Sequence, residues 1–471
     1  MKTFNRSRKI TPILLIIMLV IVQLACGSST EEKLASAVPP TATADEAAES
    51  EQAQPESQKI EPTEPSKPTE IPSTEVPPTP TPEPEPISIV TFGFGQDERE
   101  CGFAFIVENP NQNYAFESSQ YQVAAYDANG TVVETDDGYI ELVLPGQKLG
   151  IGGTMYLDEG VTVDKFEVQI NAGDVEYTDL SAAFTTDKVI YQEGEYFSSV
   201  FGVITNPYTR DFSSLKVSTV AYNDAGEIIG GGYTYLDFIL AMSSTGIDVS
   251  IVSAGQVARV ELYPVVSGIS MLLSDDELPE GAQNIAIVKS GYGQDGNEVG
   301  YGVLIENPNN GFSLESSMYH INLYGDDGNI IAVEEGYVNT LLPSQTLGIG
   351  GDIYIDEGLT VASADFQIKS GNFEPSEVIA TFTSENISYK SSSYFPTVTG
   401  EIASPYSKDI TNLYVYAIAY NEAGEIIGGG FTFLDFVPAN SKAAVEVSIT
   451  SAGVPALVEL YAAVSALSDI E

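Results

Sequence analysis

The chain has 471 residues, with 67 Asp and Glu against 19 Lys and Arg, a formal charge of −48, one histidine and two cysteines. That balance argues against nucleic acid, whose binding relies on cations that neutralise phosphates, and against close docking on anionic lipid; it suits solubility, cation association or a basic partner. Zinc sites need several His or Cys ligands and a serine nucleophile needs a histidine base, so both chemistries are starved of side chains.

In chain order, residues 1–26 come first. Lys2, Arg6, Arg8 and Lys9 make a basic start, and an apolar run follows from Ile10 to Ala25, broken by Thr11, Pro12 and Gln23. Leu24-Ala25-Cys26-Gly27 closes the segment. This is the pattern of a secretory signal. It resembles a bacterial lipoprotein signal, and the resemblance implies a lipid on Cys26 that anchors the chain on the extracytoplasmic side of a membrane in the cell envelope. The other reading is an uncleaved anchor, because the apolar run is short for a span but not impossible. Both readings place the remainder outside the cytoplasm. Residues 27–86 hold half of the chain's 26 prolines, mixed with Thr, Ser, Glu and Ala. Proline lacks an N–H donor and fixes φ, and few apolar side chains offset the entropy of ordering. This predicts a disordered, partly polyproline-II stalk.

From residue 87 the text repeats. Ala221–Gly232 recurs as Ala419–Gly430, an offset of 198 residues. The same offset joins Asn109-Pro110 to Asn307-Pro308 and Gly150-Ile-Gly-Gly153 to Gly348-Ile-Gly-Gly351. A weaker repeat halves each unit, as Asn206-Pro207 and Ser404-Pro405 show. Four modules are expected, spanning 87–178, 179–279, 280–375 and 376–471. Tyr121-Gln-Val-Ala-Ala-Tyr126 alternates as a strand does, Asp127-Ala-Asn-Gly130 turns the chain, and Thr131-Val-Val133 returns. Tyr222…Gly226 and Tyr420…Gly424 are the same hairpin device, and the prolines after Asn109 and Asn206 end strands. About seven short strands per module with regular turns predict an all-β chain of four tandem immunoglobulin-like antiparallel sandwiches. Cys101 aligns with Val299, which reads as a core or near-core hydrophobe.

Val123-Ala-Ala-Tyr126-Asp127, repeated as Ile321-Asn-Leu-Tyr324-Gly325, together with the upstream Asn-Pro turn and Leu144-Pro145-Gly146, resembles the FxLYD domain family. The resemblance covers residues 87–471 and implies small extracytoplasmic β-sandwich modules, often on bacterial surface proteins, with no general activity assigned.

Few groups offer chemistry. His320 aligns with Gln122 and reads as a surface strand residue. Asp158-Glu159-Gly160 and Asp356-Glu357-Gly358 are the best carboxylate candidates. Neighbours on an extended chain point to opposite faces, so neither pair resembles the facing carboxyls of a glycosidase. They read as turns at strand ends; the sharper reading is a calcium site on Asp158, Glu159, Asp356 and Glu357, because calcium takes several oxygen ligands. The Gly-Ile-Gly-Gly stretches occur only in odd modules and lack the Lys-Ser/Thr of a phosphate loop; a bulge is the expectation. Tyr233 and Tyr235 align with Phe431 and Phe433, which points to core or inter-module packing. No catalytic residue and no cofactor is expected, calcium aside. The reading is a non-catalytic, lipid-anchored binding or spacer protein with an unknown protein or glycan ligand. The alternatives are a calcium-dependent adhesin or carbohydrate binder and, last, a carboxylate-based hydrolase.

Overall fold

Among the described residues of the computed structural model, every regular element is a β-strand. The structure describes residues 83–178, 183–194, 197–266, 278–378, 381–392 and 396–465. The signal segment with Cys26 and the stalk up to residue 82 lie outside the described residues, as does most of the joint between the repeats. The strands belong to one compact unit, Pro80–Glu471.

In the first segment, β1 (Ser88–Asp97), β2 (Glu100–Glu108) and β5 (Lys148–Tyr156) form one sheet. β3 (Tyr114–Tyr126), β4 (Val132–Val143) and β6 (Lys165–Asn171) form the other, with β7 (Asp174–Tyr177) also pairing β3. All pairings are antiparallel. Phe103, Phe105, Phe116, Val123, Ile140 and Ile151 fill the space between the sheets. Cys101 is wholly buried there, and burial pushes its thiol up to about 11. The second segment runs β8 (Thr185–Gln192), β9 (Ser198–Thr205), β10 (Phe212–Tyr222), β11 (Ile228–Ile239), β12 (Ser244–Ser253) and β13 (Arg259–Val265). These follow one path, β13-β10-β11-β12-β9-β8, folded around Val200, Leu215, Val217, Leu236 and Val249.

The third segment repeats the first: β14 (Ala286–Asp295), β15 (Glu298–Glu306), β16 (Phe312–Tyr324), β17 (Ile330–Leu341), β18 (Thr346–Tyr354), β19 (Ser363–Lys369) and β20 (Asn372–Pro375). The fourth holds β21 (Thr383–Lys390), β22 (Thr397–Ala403), β23 (Ile410–Tyr420), β24 (Ile426–Val437), β25 (Lys442–Ser448), β26 (Thr450–Ser451) and β27 (Leu457–Val464). Each of these segments has its own apolar core.

The expected hairpins form. Gly130 donates its N–H to the Asp127 carbonyl at 2.9 Å and takes a φ of 78°, which glycine adopts without strain. The Asp127 carboxylate accepts from the N–H groups of Asn129 and Thr131. The Asn-Pro pairs do more than end strands. Asn109 is fully buried; its amide donates to the carbonyls of Tyr114, Val143 and Leu144, and its side-chain oxygen accepts from the N–H of Asn111. Asn307 makes the same set, to Phe312, Leu341 and Leu342. One side chain thus satisfies three carbonyls where two chain reversals meet, and an unpaired buried carbonyl is costly.

The sandwiches are not separate bodies, as tandem modules would suggest. Sheet β1-β2-β5 lies directly on β10, β11 and β12, with glycine facing backbone. A Cβ on Gly95 would fall 2.0 Å from the Ile229 carbonyl oxygen, one on Gly102 2.0 Å from that of Val252, and one on Gly152 2.4 Å from that of Gly232. The fit is mutual: a Cβ on Gly231 would meet the Phe103 oxygen at 2.5 Å. The third and fourth segments repeat the seam through Gly293, Gly300, Gly350 and Gly429. Small apolar clusters flank it, Ala104, Ile106, Val220, Tyr222 and Ile228 on one side and Ile418, Tyr420 and Ile426 in the second repeat. The expected bulge at Gly150–Gly153 is absent: β2 and β5 pair in unbroken register from Glu108↔Lys148 to Glu100↔Tyr156. The glycines serve close approach between sheets instead.

Asn307→Ala leaves buried carbonyls without donors and should destabilise the chain by on the order of 3 kcal/mol, read as a lowered midpoint in thermal or urea unfolding. An unchanged midpoint would show that water replaces the amide. Gly231→Ala should destabilise at least as much, because its Cβ meets two backbone oxygens, of Phe103 and Thr219, and the Ala104 methyl, none of which can swing aside. Gly311→Ala, whose Cβ meets nothing within 4 Å, is the control and should stay within about 0.5 kcal/mol of the parent.

Candidate interaction surface

The acidic turns are where turns were expected. Leu157, just after β5, is buried; Asp158, Glu159 and Gly160 then lie exposed in a turn closed by the N–H of Val161 on the Asp158 carbonyl at 3.1 Å, with Gly160 at a φ of 81°. Gln96 braces this loop, donating to the Val161 carbonyl and accepting from the Val163 N–H. Arg99 adds a bond to the Leu157 carbonyl. Asp356 and Glu357 occupy the equivalent turn, braced by Gln294. Among the described residues no three His, Cys, Asp or Glu side chains gather as a metal-holding group, so the four carboxylates sit as two separate exposed pairs. Asp356 differs from Asp158 in one respect: it accepts a hydrogen bond from Gln192 of the second segment.

That bond belongs to a larger contact. The outward face of β16, β17 and β19 is covered by the second segment, and His320 lies beneath it. The residue expected on a strand surface is completely buried. The Phe238 ring stands edge-on to it at 6.2 Å and 85°. Its Nδ1 lies 3.2 Å from Glu335 Oε1, yet neither ring nitrogen has a hydrogen bond of good geometry. The reason is tertiary: β16 alternates as expected, but its outer side meets another module rather than water. Around His320, the Tyr337 hydroxyl donates to Asp237 at 2.7 Å, the Gly246 N–H donates to the Asn322 side-chain oxygen at 3.0 Å, and the Gln367 amide donates to the Ser244 carbonyl at 2.8 Å. Asn322 was missed as an interface residue; nothing in a single strand's alternation marks the outward side as covered.

The matching face of β3, β4 and β6 in the first segment is open. Gln122, Asp137 and Gln169 form one row across it and Tyr139, Gln120 and Asn171 the next. Together they bound a shallow concavity. Tyr233 and Tyr235, expected in packing, are about half exposed on the side of β11 that carries Gly231, edge-on to each other at 5.8 Å, with the Lys216 ammonium over the Tyr233 ring. Phe431 and Phe433 are likewise exposed.

The two repeats differ in charge beside their seams. In the first, burial pushes the Asp136 carboxyl up, and nearby Lys216 opposes the shift. In the second, the Lys216 position is Tyr414. Burial, then the charges of Asp352 and Glu335, push the Glu334 carboxyl up to about 7.

No family model matches the chain, and no curated protein does. Among solved structures the chain is similar to dimeric latent PorU from Porphyromonas gingivalis, at 7% identity and a TM-score of 0.14 over 82% of this chain and 33% of that one. It is similar to a tetra-tandem repeat in the extending region of a large adhesion protein, at 9% identity and 0.11 over 81% of this chain and 98% of that one. A third is the alpha-2-macroglobulin of Escherichia coli activated by porcine elastase, at 11% identity and 0.12 over 81% and 42%. The chain therefore spans only a third of the length of PorU, and at TM-scores this low the likenesses carry no argument about function.

The Glu334 environment makes a pH prediction. A carboxyl raised in the folded state holds its proton where the unfolded chain has released it, so stability falls as pH rises from the unfolded value of 4.5 toward about 7. Glu334→Gln removes that dependence. Unfolding at pH 8 should show the variant more stable by on the order of 2 kcal/mol, and near pH 4 the two should coincide. Equal stabilities at pH 8 would mean that the carboxylate is solvated.

Proposed function

We propose that the chain is a non-catalytic surface protein of the bacterial cell envelope, held by a lipid on Cys26, with a stalk over residues 27–86 that lifts FxLYD-like β-sandwich modules away from the membrane. The work of the modules is to display or space a binding surface. The observation that carries this reading is mechanical. First and second segments, and third and fourth, are joined by seams in which backbone touches backbone, while the second and third are joined through Phe238, Asp237 and Tyr337. Such joints hold successive modules at fixed spacing. The acidic surface supports the same reading, because like charge keeps a displayed array soluble.

Fatty-acid labelling of cells producing the chain tests the anchor. The parent should carry label and sediment with membranes, and Cys26→Ser should lose the label. Label persisting on Cys26→Ser, or parent protein in the cytosol with residues 1–26 intact, contradicts the proposal.

A further inference from the structure

The 198-residue repeat contains one interface that is made inside the chain and whose two halves are each presented again, exposed, among the described residues at its ends. The made copy is the cover over His320: the edge of β10 and β11 presents Phe238, 1% exposed, to the face of β16, β17 and β19. One repeat later the presenting edge is that of β23 and β24, and its Phe436 is 53% exposed. One repeat earlier the receiving face is that of β3, β4 and β6, where Gln122 stands exposed at the place of His320.

We propose that a second copy of this chain fills the open face, the β23–β24 edge of one copy docking on the β3–β4–β6 face of the next as the second segment docks on the third. Differences between the two sets of residues are matched across the contact. Gly246 has no room for a Cβ, which would fall 2.4 Å from the Asn322 side-chain oxygen. In the open set the glycine is Ala444, and the residue it would meet is Ala124, so a methyl arrives where an amide has left. The bond from Tyr337 to Asp237 is kept in kind, as Tyr139 and Asp435. The bond from Gln192 to Asp356 becomes Lys390 and Asp158, opposite charges. Lys390 at present pairs at 3.4 Å with Glu446, and both are well exposed, so such a pair gives up little. Phe436 would meet Gln122, which stands in one row with Asp137 and Gln169. Edge and face are different surfaces, so the contact is head-to-tail and propagates instead of closing on a two-fold axis. Inside the chain the joint between repeats holds edge and face at high effective concentration; between chains that advantage is absent, and the association is weaker.

Sedimentation of the purified full chain in detergent, at no more than one chain per micelle, tests this. The mass should rise with concentration through dimers to longer species. Phe436→Asp and Ala124→Asp change outward positions and should keep the parent's thermal melt, yet each alone should self-associate at least about tenfold more weakly. Mixed, they should form pairs and stop there, because each keeps the half that the other lacks. Lys390→Glu should weaken association and Asp158→Lys in the same chain should restore it, which separates a lost contact from a lost fold. A parent that stays single at every concentration overturns the proposal. So do Phe436→Asp and Ala124→Asp chains that assemble alone as the parent does, a mixture that makes no pairs while the parent associates, or a charge reversal without effect.

Discussion

Two sheets normally stack about 10 Å apart, with a layer of side chains between them. At the seams of this protein that layer is missing along a central stripe, and the peptide planes of one module rest on those of the next. Only glycine permits this. A methyl on Gly152 would sit 2.4 Å from one carbonyl oxygen and 2.5 Å from another, and both belong to backbone that cannot step aside. The polar groups brought so close are already engaged in their own ladders, so the contact strands no donors or acceptors. The rest follows from this constraint. Gly150 and Gly152 of the first segment and Gly231 of the second are the two sides of one seam, where substitution on either side presses on the other, while Gly230 and Gly232 make room for β12 of their own segment.

This also accounts for the order of similarity in the chain. First and third segments are close relatives, as are second and fourth, while neighbours have diverged. A module selected to fit a particular partner diverges from that partner and is preserved with it, so the pair is the unit that repeats at 198 residues. The seam's flanks add ordinary apolar burial, and paired tyrosines complete it: Tyr222 and Tyr263 both donate to Glu261, and the Tyr263 ring lies where a Cβ on Gly150 would be. Tyr420, Tyr461 and Glu459 repeat the arrangement.

Strands, hairpins and the repeat were legible in the sequence because they are local. Alternation in Tyr121–Tyr126 and the Asp127–Gly130 turn need only neighbours along the chain. The acidic turn at Asp158 was legible for the same reason. What a face packs against is not local. His320 alternates as a surface residue does, and it is buried because another module lies over it. Tyr233 and Tyr235 were placed in packing because phenylalanine replaces them in the second repeat; both pairs are partly exposed and lie beside the seam, on the side of their strands that carries Gly231 and Gly429. The glycines announced something unusual, and a bulge was the expectation; recognising close approach required the opposing sheet. Asn109 looked like the companion of a proline, since nothing in one sequence tells how many carbonyls will converge on an amide.

The functional reading leans on the same physics. A chain whose modules are clamped in pairs transmits position and force, and its charge keeps it apart from acidic neighbours. The most direct test of the clamp is to pull on the full chain from its ends and record the length released at each unfolding event. If the seam unites two modules, each event should release a pair, roughly 60 nm of chain, with two such events per molecule. Four separate events of roughly 30 nm each would mean that the modules yield independently and that the glycine seam is only contact.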